Sequence, residues 1–236
     1  MTVADPHRHP PAGPKLSLST VGAILVALAI GGLFQEVRWR GGFSGVVPSP
    51  MESSAQQLKF AKLAFANGND AVALNLFERL AAENNATAQY WLAHMSELGL
   101  GVPKDIAKAI SLYEKAAAQN SIPAQARLGE IYLNGDLTPP DYAKAFDLLG
   151  QAARQSNPRA AMLLGQMYRF GLATTADPIE SYAWSEVAVI EGLGFANVER
   201  EAAFASMSPS DRDKGAARAS VILAEIQKKP APAKKT

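Results

Sequence analysis

The chain has 236 residues, 48% of them hydrophobic, a formal net charge of +1 and no cysteine. That length suits one large or two modest domains, and the near-neutral, apolar-rich composition points away from nucleic-acid binding and from disorder. Without cysteine there is no disulfide, no thiolate nucleophile and no thiolate-held metal.

Residues 1–15 carry Pro6, Pro10, Pro11 and Pro14 and read as a disordered tail. His7 and His9 flank Arg8 there, but two histidines fall short of the three or four ligands of a stable metal site. No metal and no cofactor is expected. Leu16 to Phe34 holds no charged residue and comes close to the roughly 20 residues that cross a bilayer core. Trp39 between Arg38 and Arg40 suits an interfacial anchor. We read 16–34 as an uncleaved transmembrane signal anchor. Cleavage near Ala27-Leu28-Ala29 is the competing reading, and it would release a soluble binder. The short tail is expected inside and the remainder outside: a single-pass protein of the inner (plasma) membrane with an extracytoplasmic or periplasmic domain.

Residues 35–54, with Gly41-Gly42 and Pro48-Ser49-Pro50, read as a linker. Residues 55–87 carry two apolar helical faces, Leu58, Ala61, Ala64 and Phe65, then Ala73, Phe77 and Leu80. A turn at Gly68-Asn69-Asp70 separates them. Asn85-Ala86-Thr87 matches the glycosylation tripeptide, a pattern loose enough to arise by accident.

From Ala88 one pattern is written three times at a step of 36 residues, giving units 88–123, 124–159 and 160–195. Ala88, Ala124 and Ala160 align, as do Leu92, Leu128 and Leu164, then Gly99, Gly135 and Gly171, then Asp105, Asp141 and Asp177. A period of this length marks an α-solenoid, so the fold expected is all-α, stacked helix-turn-helix units behind a transmembrane helix. The three glycines fall where a left-handed residue ends a helix. The three aspartates fall where an N-cap accepts from a free backbone N–H. In the third copy Pro178 and Glu180 follow Asp177 as first-turn residues of a capping box. Gly129 and Gly165 lie inside the first helices, where each costs about 1 kcal/mol against Ala. A neighbouring helix must therefore approach closely, and Ala109, Ala145 and Ser181 are the expected counterparts. Residues 196–227 read as two capping helices split at Ser208-Pro209. Residues 228–236 read as a basic flexible tail.

Gly99-Leu100-Gly101-Val102-Pro103-Lys104-Asp105, Lys108-Ala109 and Tyr113-Glu114-Lys115-Ala116-Ala117 resemble the Sel-one-like repeat, a relative of the tetratricopeptide repeat with a longer inter-helix loop. The second unit matches through Leu128-Gly129, Tyr132, Gly135, Asp141 and Lys144-Ala145, with Pro139-Pro140 in place of glycine-valine. The third departs at Leu172-Ala173 and Glu180-Ser181. The resemblance implies scaffolding, assembly or regulation through a protein or peptide partner. It also implies that the first helices line a concave groove. Tyr90, His94, Glu97 and Leu98 would lie there, with Ala126, Glu130, Leu133 and Asn134 from the second unit and Met162, Gln166, Arg169 and Phe170 from the third.

Catalysis has little to work with. His94 is the single histidine beyond the tail, and no serine sits in a nucleophile-elbow context. Gly99-Leu100-Gly101 has neither the preceding strand nor the Gly-Lys-Ser/Thr of a phosphate loop. No catalytic residue is assigned. The expectation is a membrane-anchored adaptor that is not an enzyme and meets no nucleic acid. The alternative is an envelope glycan hydrolase or carbohydrate-binding protein using groove carboxylates such as Glu97 and Glu130.

Overall fold

A computed structural model describes residues 53–228. The predicted anchor at 16–34, the first tail and nearly all of the linker lie outside the described residues, as does the basic tail beyond Lys228. Among the described residues every regular element is helical, and no helix is long and apolar enough to cross a membrane.

The helices come in pairs. Helices α1 (Ser54–Ala66) and α2 (Asp70–Ala82) form a hairpin with a short turn. Three longer-looped pairs follow: α3 (Ala86–Leu98) with α4 (Ile106–Ala118), α5 (Ile122–Asn134) with α6 (Tyr142–Ala153), and α7 (Pro158–Phe170) with α8 (Pro178–Ile190). A 3-10 turn at Gly194–Ala196 leads to α9 (Asn197–Ala205) and α10 (Pro209–Lys228). Lys228 therefore ends a helix and does not open the tail.

The same devices shape each long pair. Gly99, Gly135 and Gly171 end α3, α5 and α7 at φ of 76°, 71° and 68°, left-handed values that glycine adopts without penalty. Asp105 and Asp141 cap α4 and α6 by accepting from the N–H of Lys108 and Lys144. Asp177 accepts from both Ile179 and Glu180. The aspartate backbone also closes the loop. The N–H groups of Asp105, Asp141 and Asp177 donate to the carbonyls of Ser96, Tyr132 and Tyr168 at 2.9, 2.9 and 3.0 Å. Glu180 makes no capping box. Its carboxylate accepts from Trp184 Nε1 and from Arg218 Nε of the final helix. Asn85 of the glycosylation tripeptide is the N-cap of α3, its amide oxygen taken by the Ala88 N–H.

Packing follows the 36-residue register. Met95, Ile131 and Met167 are fully buried, as are Ala116, Ala152 and Ala188. Buried Gln89 and Gln125 tie the first two units across: Gln119 donates to Gln89 at 2.8 Å, and Gln125 donates to Gln151 at 3.0 Å. The close approach at the interior glycines is present, but its side-chain partner lies one turn beyond the expected small residues. A Cβ on Gly129 would stand 2.8 Å from Leu149 Cγ, and one on Gly165 would stand 2.6 Å from Ser185 Oγ and 3.0 Å from the Ser181 carbonyl. Ala145 is the wrong counterpart because the side chain facing Gly129 comes from the next turn of the second helix, whereas Ser181 does meet Gly165, through its backbone carbonyl beside Ser185. At the far end α9 and α10 cover α8. Ala219, Ile222 and Ile226 are buried, and Arg218 pairs with Glu180 at 2.6 Å. This is the terminal cap a stack of repeats requires.

Gly165→Ala should destabilise the protein by about 1–3 kcal/mol in a urea melt, because backbone atoms meet the new methyl and overpacking outweighs the helix-propensity gain of about 1 kcal/mol. Gly194→Ala, with nothing within 4 Å, should leave the midpoint unchanged. A stabilised Gly165→Ala would remove the close-approach account.

Candidate functional site

Helices α3, α5 and α7 form one layer, and α5 touches α7 directly, as the inner helices of a solenoid do. All twelve predicted groove residues sit on these three helices. Leu98 and Phe170 are 52% and 60% exposed, large apolar side chains at equivalent positions of the first and third units. Asn134, at the same position of the second unit, is exposed too. Tyr90, His94, Ala126, Glu130, Leu133, Gln166 and Arg169 are half-buried. Glu97 and Met162 depart from expectation. Both are buried, at 4% and 7% exposure, and neither lines the cavity between α3, α5 and α7.

Glu97 belongs instead to a polar chain that crosses the layer. Tyr113 Oη donates to Glu97 Oε2 at 2.8 Å, and Arg127 reaches both Glu97 oxygens through Nε and Nη2. Arg127 Nη1 donates to Glu130 Oε2 at 3.1 Å, and Arg159 Nη2 donates to Glu130 Oε1. One sequence of contacts thus runs from α4 through α3 and α5 to α7. Burial alone would raise the Glu97 carboxyl, but the Arg127 and Tyr113 hydrogen bonds outweigh it and hold the group below its ordinary value. Burial, followed by the Glu97 charge, pushes the Tyr113 hydroxyl far up. At neutral pH this is an ionised carboxylate held by a neutral phenol and a guanidinium.

Arg127 and Arg159 escaped the repeat reading. They occupy columns where the other units carry Trp91 and Leu163, or Thr87 and Pro123. Aligned columns mark what every unit shares, and this chain of charges is built once. The i, i+3 spacing of Arg127 and Glu130 was the signal available.

His94 lies in an aromatic cluster. Its ring is parallel to Tyr90 at 6.3 Å and edge-on to Trp91 at 6.1 Å and Phe65 at 6.3 Å. Burial lowers its pKa and outweighs the opposing Glu97 charge, so the imidazole is neutral at pH 7. Its Nδ1 is buried with no hydrogen-bond partner among the described residues, so neither an orienting acid nor a nucleophile engages it there. Among the described residues no group of three histidine, aspartate or glutamate side chains is placed to hold a metal.

Two further features mark this face. A cavity of about 220 Å³ opens between α3, α5 and α7, floored by Tyr90, Ala126 and Leu163 and edged by Arg159. Near the C-terminal end of α7, the Arg169 guanidinium lies 4.2 Å from the Phe170 ring centroid and 2.7 Å from Glu199 of α9. Gln166 donates to the same glutamate at 2.8 Å. Such an arrangement can bind an extended chain through apolar contacts and hydrogen bonds, and it presents no acid–base pair.

Because the folded-state pKa of Glu97 is depressed, the stability it contributes is present above the ordinary carboxylate range and is lost as pH falls through the folded value. Glu97→Gln should cost about 1–3 kcal/mol at pH 7. That gap from the parent chain should close as urea melts are repeated at progressively lower pH. A gap independent of pH would mean that Glu97 is not held ionised.

No curated protein matches the chain. Solved structures similar to it include two helical-repeat proteins. One is a protective antigen present in uropathogenic Escherichia coli strains and displaying an SLR fold, at TM-score 0.52 and 22% identity over 78% of this chain and 50% of that one. This chain thus spans half the length of that protein. The other is a Sel1 repeat protein from Oxalobacter formigenes, at TM-score 0.59 and 24% identity over 72% of this chain and 74% of that one. At these identities the likeness is one of fold. The Sel1 repeat family profile matches residues 86–121, 122–157 and 158–192, units that open where α3, α5 and α7 begin. Sel1 repeats are typically protein-interaction scaffolds. With helices, loop clamps and family profile coinciding over 86–192, that stretch of the chain is three consecutive Sel1 repeats.

Proposed function

We propose that this chain is a membrane-anchored adaptor that binds an extended segment of a partner protein along the face of α3, α5 and α7, within the cell envelope. The observation that carries the binding reading is the exposure of Leu98 and Phe170. Single exposed apolar side chains are common, but these two stand at the same register position two units apart on one face, where a groove would present anchors to another chain. The intervening Asn134 and the neighbouring Gln166 supply hydrogen-bonding groups along the same line. The anchoring reading rests on the uncharged run Leu16–Phe34.

The glycan-hydrolase alternative has no observation in its favour. Glycoside hydrolysis takes one protonated acid and one carboxylate across the scissile bond. Glu97 is held ionised beneath the surface, and Glu130 is gripped by Arg127 and Arg159. Arg127 stands between them as a shared counter-ion.

A photo-crosslinking phenylalanine derivative placed at Leu98 or Phe170 should trap partner chains in cells several-fold more often than one at Lys115, which is exposed on α4. Equal trapping at all three would remove the groove. Topology is tested with the cysteine-free background. Ser156→Cys, exposed in the turn before α7, should react with a membrane-impermeant maleimide once any outer membrane is permeabilised, in a chain of full mass. Reaction of a shortened chain would mean a cleaved, exported binder, and reaction only after lysis would end the envelope assignment.

A further inference from the structure

The groove reading leaves open what chemistry the partner presents. The cavity between α3, α5 and α7 narrows that choice, because its polar groups are unbalanced. On the acceptor side each Glu130 oxygen already accepts from a guanidinium, Oε2 from Arg127 and Oε1 from Arg159. The Asn157 amide oxygen accepts from the Ala160 N–H at 2.9 Å. On the donor side three groups remain. Arg159 uses only Nη2, which leaves Nε and Nη1 without a partner among the described residues. Tyr90 Oη and the Asn157 amide nitrogen likewise donate to nothing among the described residues. All of these residues line the cavity. A site whose acceptors are occupied and whose donors are open is complementary to an acceptor-rich, anionic group.

Size narrows it further. About 220 Å³ is less than the roughly 300–1,000 Å³ of sites that enclose whole small ligands, and suits a single side chain. The floor of Tyr90, Ala126 and Leu163 is apolar. An occupant must therefore place one aliphatic side chain on that floor and a carboxylate against the Arg159 edge. In a space this small both have to leave the same Cα. The last residue of a chain does so, whereas an internal aspartate or glutamate brings its carboxylate on a bare methylene stem that covers less of the floor.

We propose that this cavity is an end-binding pocket: the C-terminal aliphatic residue of the partner rests on Ala126 and Leu163, and its terminal carboxylate accepts from a free N–H of Arg159 and from Tyr90 Oη. The proposal rests on the groove reading and gives it a polarity, with the partner's chain end between the first and third repeats. Arg159 is the residue that makes the choice. With Nη2 held by Glu130, its remaining N–H groups point in fixed directions that a flexible lysine would not reproduce.

The test is an NMR titration of the full-length chain with N-acetyl-Ala-Ala-Leu bearing a free carboxylate. Saturable shifts at the Ala126 amide and the Arg159 Nε–H are expected, at least about tenfold weaker for the C-terminal amide of the same peptide, as loss of a charge-assisted hydrogen bond implies. Arg159→Gln should lose the free-acid preference, and Arg159→Lys should not restore it in full. Arg159 is exposed, so both variants are expected to fold, with an unchanged melting midpoint as the check. Equal binding of acid and amide, no saturable shift, or an unaltered Arg159→Gln would each overturn the proposal. So would equal binding of N-acetyl-Ala-Asp-Leu-amide, which would make the ligand an internal acidic segment. If crosslinks at Leu98 and Phe170 persist while the peptide result is negative, the groove stands and only the end-binding pocket falls. If those crosslinks are absent as well, both fall together.

Discussion

The two helices of the second and third long repeats meet at a distance that only a missing side chain permits, and much of the structure depends on that approach. Gly129 against Leu149 and Gly165 against Ser185 bring the helix backbones close enough that one methyl group would collide. The opposite end of the pair is set by the aspartate that both caps the second helix and donates its N–H to the first. A close seam at one level and a hydrogen bond at another leave little freedom for the crossing of the helices. The aspartate clamp recurs in all three long repeats, so each presents its first helix to the next in the same way. The inner layer of α3, α5 and α7 follows from this.

Within that layer shape and charge divide the work. The repeated positions, Leu92, Leu128 and Leu164 or Met95, Ile131 and Met167, are buried and hold the stack together. The unrepeated ones carry individuality. Glu97, Arg127, Glu130 and Arg159 alternate in sign and bridge three successive first helices. Exposed ion pairs contribute little to stability, but the Glu97 end is buried and doubly hydrogen-bonded, where loss of a partner is costly. The chain is therefore anchored at its α3 end and open at its α7 end, where Arg159 reaches solvent. That gradient makes one end structural and leaves the other available to a ligand.

Much of the fold was legible in the residues themselves. Capping glycines and aspartates act on their own helix ends, and their effect depends on neighbours a few positions away, so Gly99, Asp105 and their counterparts could be placed directly. The 36-residue step compounded these local signals. Where the local reading slipped, the cause was geometry between helices. The partner of Gly129 proved to be Leu149, one turn past Ala145, and Glu180 turned from its cap to Trp184 and Arg218.

Sequence alone determined the helical class, the repeat boundaries to within three residues and the loop devices. These follow from short-range hydrogen bonding and from periodic burial, both written along the chain. Tertiary structure decided which inner-layer residues reach solvent and which charges meet. Glu97 lies beneath the surface and Leu98 beside it is exposed, although both were expected on the groove. The contacts of Arg127 with Glu97 and of Arg159 with Glu130 join residues 30 and 29 positions apart. Such pairs depend on the crossing of packed helices and on the rotamers packing allows, and no column of aligned repeats carries that information.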